Sequence, residues 1–182
     1  SKQPIIVNNG NVITDNGKAS ISFNGTSHYL ESTHIFDDVL TVINVLSIKN
    51  NGLNGTYNSG VNYRAYWGAA ADNFYGGGYG IKNRIDFKSN RTLTNDMVLF
   101  SLILTGVDGY IRINNIEEDK ETPSTIGSDN LPFYIGNVNT DQGASTNLYI
   151  EQNMQELIIY DTNELSNIND LEQKMNSYYG VY

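Results

Sequence analysis

The segment Met154-Gln155-Glu156-Leu157-Ile158-Ile159-Tyr160-Asp161 constrains the fold more than any other part of the chain. Read as a strand, it puts Leu157 and Ile159 on one face and Ile158 and Tyr160 on the other, because successive side chains of a strand point to opposite sides. A strand apolar on both faces has to be covered on both, so it belongs inside a layered structure. Val39 to Ile48 and Met97 to Leu104 have the same character. Their length alone would also suit a helix. The valine and isoleucine of the first run, and the turn signals that bracket both, favour strands.

Turn punctuation is dense elsewhere. Asn9-Gly10, Asn16-Gly17, Asn24-Gly25, Asn51-Gly52, Asn54-Gly55 and Asp108-Gly109 are dipeptides suited to the positive φ of tight hairpins. Between them, Ala19, Ile21 and Phe23 alternate with polar residues, and Ile81, Ile85 and Phe87 share a face. Tyr110, Arg112 and Asn114 likewise oppose Ile111 and Ile113. These read as half-buried antiparallel strands, and the spacing predicts about ten to thirteen strands in a sandwich. One helix is predicted in the last twenty or so residues. Ser166 or Asn167 caps it, Ile168, Leu171, Met175 and Tyr178 recur at helical spacing, and Gly180 ends it. The expectation is an all-β, antiparallel sandwich with one short C-terminal helix docked on it, forming a single domain over residues 1–182.

Composition sets outer bounds. The net charge of −9 argues against a nucleic-acid surface, which needs a Lys/Arg footprint. It says little about neutral glycans. There is no cysteine, which removes disulfides and thiolate metal sites. No apolar run approaches the ~20 residues of a membrane helix. Ser1-Lys2-Gln3-Pro4 carries no secretory signal and reads as a boundary, so the chain is expected to be the distal part of a longer protein.

The order of these pieces resembles a known family. Ala19 to Leu30, which contains Phe23-Asn24-Gly25 and Tyr29-Leu30, is similar to the opening strand-turn-strand of concanavalin A-like, laminin-G-like sandwich domains. Thr105 to Asn115 resembles their central hairpin, with Asn115 in place of a second glycine. Phe133-Tyr134-Ile135-Gly136, followed by Met154 to Asp161 and Leu165-Ser166, resembles their closing signature. The resemblance covers residues 19 to 182 and implies a jelly roll of two antiparallel sheets, with binding on a concave face or edge loops. It is weak for function, because this sandwich hosts lectins, glycanases, adhesion modules and virion proteins. Versions ending in Tyr-Tyr-Gly, here Tyr178-Tyr179-Gly180, are common in bacteriophage structural proteins and bacterial surface proteins.

The best candidate for a ligand surface is the aromatic, glycine- and asparagine-rich stretch from Tyr57 to Tyr79, which holds the only tryptophan. Sugars offer C–H faces to flat rings and hydroxyls to fixed donors and acceptors, so this mixture suits carbohydrate. The candidate residues are Tyr57, Tyr63, Arg64, Tyr66, Trp67, Asn73, Tyr75 and Tyr79. Alternation puts Tyr63 with Trp67 and Arg64 with Tyr66 on opposite faces, so only one set can meet a ligand. The competing reading makes the tyrosines core and edge filling, with Trp67 a core plug. The expected partner is a glycan or cell-surface polysaccharide, with other virion proteins or a second copy of the chain as alternatives, and the expected location is a virion or cell surface.

Other chemistries are poorly supported. Glu117-Glu118-Asp119-Lys120-Glu121 matches the Glu-x-Asp spacing of β-glucan-cleaving members of this fold, but Glu118 and Lys120 stand where the enzymes carry apolar anchors. A solvated acidic hairpin loop is the expectation there. Glu151 and Glu156 have no supporting motif, and neither do the two histidines, His28 and His34. Catalytic residues and a cofactor are therefore not expected. Ca2+ stays open, with Asp72, Asn73, Asp108, Asn137, Asn139 and Asp141 eligible but in no dense ligand string. The Asn-x-Ser/Thr sequences at Asn24, Asn54 and Asn90 read as turns.

Overall fold

The apolar runs meet as neighbours in one sheet. A computed structural model describes residues 3–32, 39–55, 65–70, 72–79, 84–92, 94–122, 133–137 and 149–182, with the backbone alone at 53, 55, 65, 66, 70, 75–79, 84–87 and 133. In chain order the first strands are β1 (Val7–Asn8), β2 (Asn11–Val12), β3 (Thr14–Asp15), β4 (Lys18–Ala19), β5 (Ile21–Asn24) and β6 (Leu30–Ser32). There follow β7 (Val39–Ile48), β8 (Gly52–Gly55), β9 (Ala65–Ala70), β10 (Asn73–Tyr79) and β11 (Arg84–Thr92). The last are β12 (Val98–Thr105), β13 (Gly109–Ile113), β14 (Ile116–Glu121), β15 (Phe133–Ile135) and β16 (Glu151–Tyr160), before helix α1 (Ile168–Tyr179). Sheet one has the order β11-β10-β9-β8-β15-β6 and sheet two the order β14-β13-β12-β7-β16-β5, six strands each, with β1–β2 and β3–β4 as small separate hairpins.

The core lies between the sheets. Leu40, Val42, Leu46 and Ile48 of β7 pack there with Phe100 and Leu102 of β12, and sheet one contributes Trp67 and Phe74. The other face of sheet two forms a second apolar layer. Ile43, Val45, Leu99 and Ile103 meet Ile168 and Met175 of α1. β7 and β12 are thus covered on both sides, as their sequences require. β16 follows the same rule, with Leu157 and Ile159 on the first layer and Ile158 and Tyr160 on the second. Its second half is nonetheless only partly buried, because β5 pairs with Glu151 to Met154 and no further.

Several expectations change. The β13 strand is buried on both faces instead of one, because α1 lies over its outer side. Arg112 is 8% exposed there and Glu172 of the helix 0%. The Arg112 Nε–H donates to Glu172 Oε1 at 3.1 Å, and its Nη2 donates to Glu172 Oε2 at 3.0 Å and Asn169 Oδ1 at 2.7 Å. The helix is therefore latched by a charge pair as well as by its apolar stripe. Tyr178 is 64% exposed, and Tyr179 takes the docked place expected of it. Burial and the Glu156 carboxylate, which accepts the Tyr179 hydroxyl at 2.8 Å, push that phenol's pKa well up. Asn167 is the N-cap, but its side chain makes no cap bond, and Gly180 closes the helix at φ 65.

Two of the six turn dipeptides are not turns. Asn51-Gly52 leads into β8, and Asn54-Gly55 lies within it. A Cβ at Gly52 would stand 2.4 Å from the Tyr149 carbonyl oxygen, so that glycine serves close packing. Asn54 is fully buried and forms a double amide bond with Gln152 of the facing sheet: Nδ2–H to Oε1 at 3.1 Å and Nε2–H back to Oδ1 at 2.8 Å. The same Oδ1 accepts the Gly136 N–H at 2.7 Å. At Asp108-Gly109 the bend falls two residues earlier, at Gly106-Val107, with Gly106 at φ 82 and Gly109 opening β13. Of the Asn-x-Ser/Thr sites, Asn24 is a turn whose Oδ1 accepts the N–H groups of Thr26, Ser27 and His28. Asn54 and Asn90 instead lie in strands β8 and β11.

Asn44 has no counterpart in the sequence reading. It shares the inward face of β7 with Val42 and Leu46, opposite Phe100 and Leu157. It is 0% exposed, and among the described residues neither amide atom meets a partner. An unsatisfied buried amide costs about 1–3 kcal/mol. Asn44→Val is expected to raise the unfolding free energy by about 1 kcal/mol in urea denaturation. A clear fall in stability would show instead that the amide is satisfied in solution.

Candidate functional site on the tyrosine- and glycine-rich sheet

The stretch singled out for ligand binding forms three consecutive strands of sheet one. β9 and β10 pair with Phe74 opposite Ala69, Tyr75 opposite Gly68, Gly76 opposite Trp67 and Gly77 opposite Tyr66. β10 and β11 continue with Tyr75 opposite Lys88, Gly77 opposite Asp86 and Tyr79 opposite Arg84. Trp67 and Phe74 are buried in the core, Trp67 at 0% exposure. This corrects the expectation for Trp67: it is a core residue and presents no ring to a ligand.

Burial of Trp67 fixes the sense of the pleat. Positions 66, 75 and 79 fall on the opposite, outer face, together with 84, 86 and 88 of β11. That set contains Tyr66, Tyr75 and Tyr79 of the candidates. Gly77 lies across from Tyr66 and Gly68 across from Tyr75, so these two tyrosine positions each have a residue without a side chain on one neighbouring strand, whereas Tyr79 is opposite Arg84. Asn73 sits at the end of β10, where the register to β11 shifts, and its Nδ2–H donates to the Arg91 carbonyl at 3.2 Å. Its role there is to hold the irregular pairing. Tyr57, Tyr63 and Arg64 lie outside the described residues.

Helix and N-terminal hairpin leave this face alone. α1 docks on sheet two, and the turn of β3–β4 does the same through Asp15, whose carboxylate accepts Ser47 Oγ–H at 3.0 Å and Asn153 Nδ2–H at 2.8 Å.

The acidic run forms β14, the edge strand of sheet two, where a loop was expected. Two of its four carboxylates join the two sheets along that side. Asp119 Oδ2 accepts the Lys88 N–H at 3.0 Å, and Glu118 pairs with the Arg91 guanidinium at 2.5 Å. Glu156 is bound to Tyr179, and His28 is buried. His34 lies outside the described residues. Among the described residues no group of three or more His, Asp or Glu side chains is placed to hold a metal ion. Asp72 is bonded to Asn51, its Oδ1 accepting Nδ2–H at 3.1 Å. Asp108 is engaged by Thr122 at 2.8 Å and Lys120 at 3.4 Å, which hold its carboxyl below the usual range. Asn137 is buried. Asn139 and Asp141 lie outside the described residues. No described helix is long and apolar enough to cross a membrane.

No protein-family model and no curated protein sequence matches the chain. Solved structures do. The binding domain of Paraclostridial Mosquitocidal Protein 1 is similar over 97% of this chain and 45% of its own, with a TM-score of 0.66 at 13% identity. The native heptameric SAP-like pentraxin from Limulus polyphemus is similar over 86% and 84%, with a TM-score of 0.58 at 11% identity. The fold is an antiparallel jelly-roll β-sandwich. A structure of botulinum neurotoxin type C, a toxin whose cell entry depends on interaction with two ganglioside molecules, is similar over 95% of this chain and 50% of its own, with a TM-score of 0.61 at 9% identity. The chain thus spans about half the length of the two toxin structures. Identities this low speak for the sandwich alone.

Proposed function

We propose that this chain is a non-catalytic glycan-recognition module, displayed on a virion or a bacterial cell surface, with the outer face of β9–β10–β11 as its contact surface. The observation that carries the reading is the register there, in which Tyr66 and Tyr75 each face a glycine across the strand pair. A tyrosine position with a glycine beside it leaves room for a flat apolar area of sugar size. Arg84, Asp86 and Lys88 run along the same face and supply donors and acceptors for hydroxyls. Each site is weak by itself, and presentation in many copies raises the effective affinity. The neighbours in fold include the binding domain of one toxin and a neurotoxin whose cell entry depends on two ganglioside molecules, which supports the reading by analogy. The virion or surface setting rests on the sequence resemblance and the Tyr178-Tyr179-Gly180 ending.

The test is the double change Tyr66→Ala with Tyr75→Ala. Binding to the glycans that the unaltered chain captures on an array is expected to fall at least about ten-fold, the loss of two stacked rings, while the melting temperature holds. Unchanged binding would remove this face from consideration.

A second reading, a structural module that packs on protein, draws on the exposed aliphatic residues Ile5, Ile6, Val7 and Val12 of the N-terminal hairpin. It would show as concentration-dependent assembly in light scattering with no array signal. A glycoside hydrolase is disfavoured, since Asp119, the middle carboxylate of the Glu-x-Asp spacing, is spent on the junction between sheet edges.

A further inference from the structure

We infer that the chain carries a second sugar site, in a cleft at one end of the sandwich, and that this site takes a neutral sugar. The cleft encloses about 650 Å³ where β10 begins, β11 ends and β12 begins, beside the β13–β14 turn. That volume falls inside the range of roughly 300–1,000 Å³ usual for small-ligand sites. Phe74, Met97 and Val98 form an apolar floor of buried side chains. The floor is rigid, because Phe74 stacks on Phe100 with centroids 6.4 Å apart in the core behind it.

The rim is polar and mostly uncommitted. Asn114 uses Oδ1 to accept the Leu99 N–H at 2.9 Å, which fixes the amide and leaves its Nδ2–H groups turned to other partners. Among the described residues, the hydroxyls of Thr92 and Thr94 and the carboxylate of Asp96 meet none. A carboxylate accepts only, an amide nitrogen donates only, and hydroxyls do both. Such a set suits a ligand that is itself dense in hydroxyls, and the apolar floor suits the C–H face of a pyranose ring.

Charge narrows the class. The one cation at the rim, Arg91, has its Nε–H on Glu118 at 2.5 Å, so its charge is already matched. Asp96 then leaves the cleft with an excess negative charge, which opposes a carboxylated or sulfated sugar. The inference rests on the glycan-recognition reading but concerns different residues on a different surface, so the two can fail separately.

The experiment is a titration of the 15N-labelled chain with cellobiose, maltose, lactose and, as the acidic probe, sialyllactose, followed by amide chemical shifts. The expected result is movement of the Thr94, Asp96 and Asn114 signals with at least one neutral disaccharide and none with sialyllactose. Asp96→Ala should weaken that response at least ten-fold, and Tyr66→Ala with Tyr75→Ala should leave it in place. Asp96 is exposed, and Asp96→Asn, checked for an unchanged melting temperature, controls for folding. Shifts confined to β9 and β10 overturn the cleft and leave the outer face standing. Cleft shifts that are insensitive to Asp96→Ala, or equally strong with sialyllactose, overturn the assignment as written. Absence of any response at Thr94, Asp96 and Asn114 to all three neutral disaccharides overturns the cleft site, and the outer face is judged separately by the array binding of the double tyrosine variant.

Discussion

Gly136→Ala is expected to lower the unfolding free energy by about 2–5 kcal/mol, enough to leave a marginal domain partly unfolded at room temperature. Two separate costs combine there. Gly136 has φ 87, a conformation that a Cβ makes unfavourable by about 1–2 kcal/mol. An added Cβ would also stand 2.2 Å from Phe23 Cδ1 and 2.8 Å from the His28 carbonyl oxygen. Phe23 is locked in the core and the carbonyl is backbone, so neither can step aside cheaply. Any shift of residue 136 would also pull its N–H off Asn54 Oδ1 and disturb the amide pair with Gln152. Gly17→Ala is the internal control. It has φ 71 with nothing within 4 Å of the added atom, so it should show the conformational cost alone, about 1–2 kcal/mol. Urea denaturation of both variants separates the two costs, and equal losses would mean that the Phe23 contact is looser in solution.

Glu172→Gln should cost about 3–5 kcal/mol, because it leaves the Arg112 guanidinium buried beneath α1 without a counter-charge. The two side chains are among the least exposed charged groups described, and Arg112 also binds Asn169 and Asn115. The loss should appear first as detachment of the helix, seen as hydrogen exchange of residues 168–179 outpacing that of β7 and β12. The double change Arg112→Met with Glu172→Leu should recover most of the stability, since a well-packed apolar pair replaces a buried ionic one at little cost. A loss of under about 1 kcal/mol for Glu172→Gln would place the pair in contact with solvent.

The sequence was legible where a single physical requirement dominated. Val39 to Ile48 and Met97 to Leu104 are strands covered on both faces, and Asn9-Gly10 and Asn16-Gly17 are hairpin turns with positive φ at both residues. Asn114 and Asn115, at φ 52 and 64, make the turn at which a second glycine was missing from the family pattern. Legibility failed where two residues far apart in the chain decide the matter. Asn54-Gly55 looks like any other turn dipeptide, and only Gln152 on the opposite sheet makes it an interior strand. Arg112 looked solvent-facing because nothing local reveals that Glu172 will be laid over it. The aromatic segment was legible as a group of strands but not as to face. Trp67, its most suggestive residue, was the one the core claimed, and that same burial leaves Tyr66 and Tyr75 on the outer face.

The position of β16 has a consequence in time. It lies between β5 and β7 in sheet two, pairing Glu151 with Asn24 on one side and Ile158 with Ile43 on the other. Most of the chain has therefore been synthesised before the strand that joins these two early strands exists. Until then the long, apolar β7 has an open edge, which is the situation in which strands pair with the wrong partner. Such non-local pairing makes folding slow compared with that of a helical domain of similar length. The strand that settles the architecture is thus also the one on which the nascent chain has to wait.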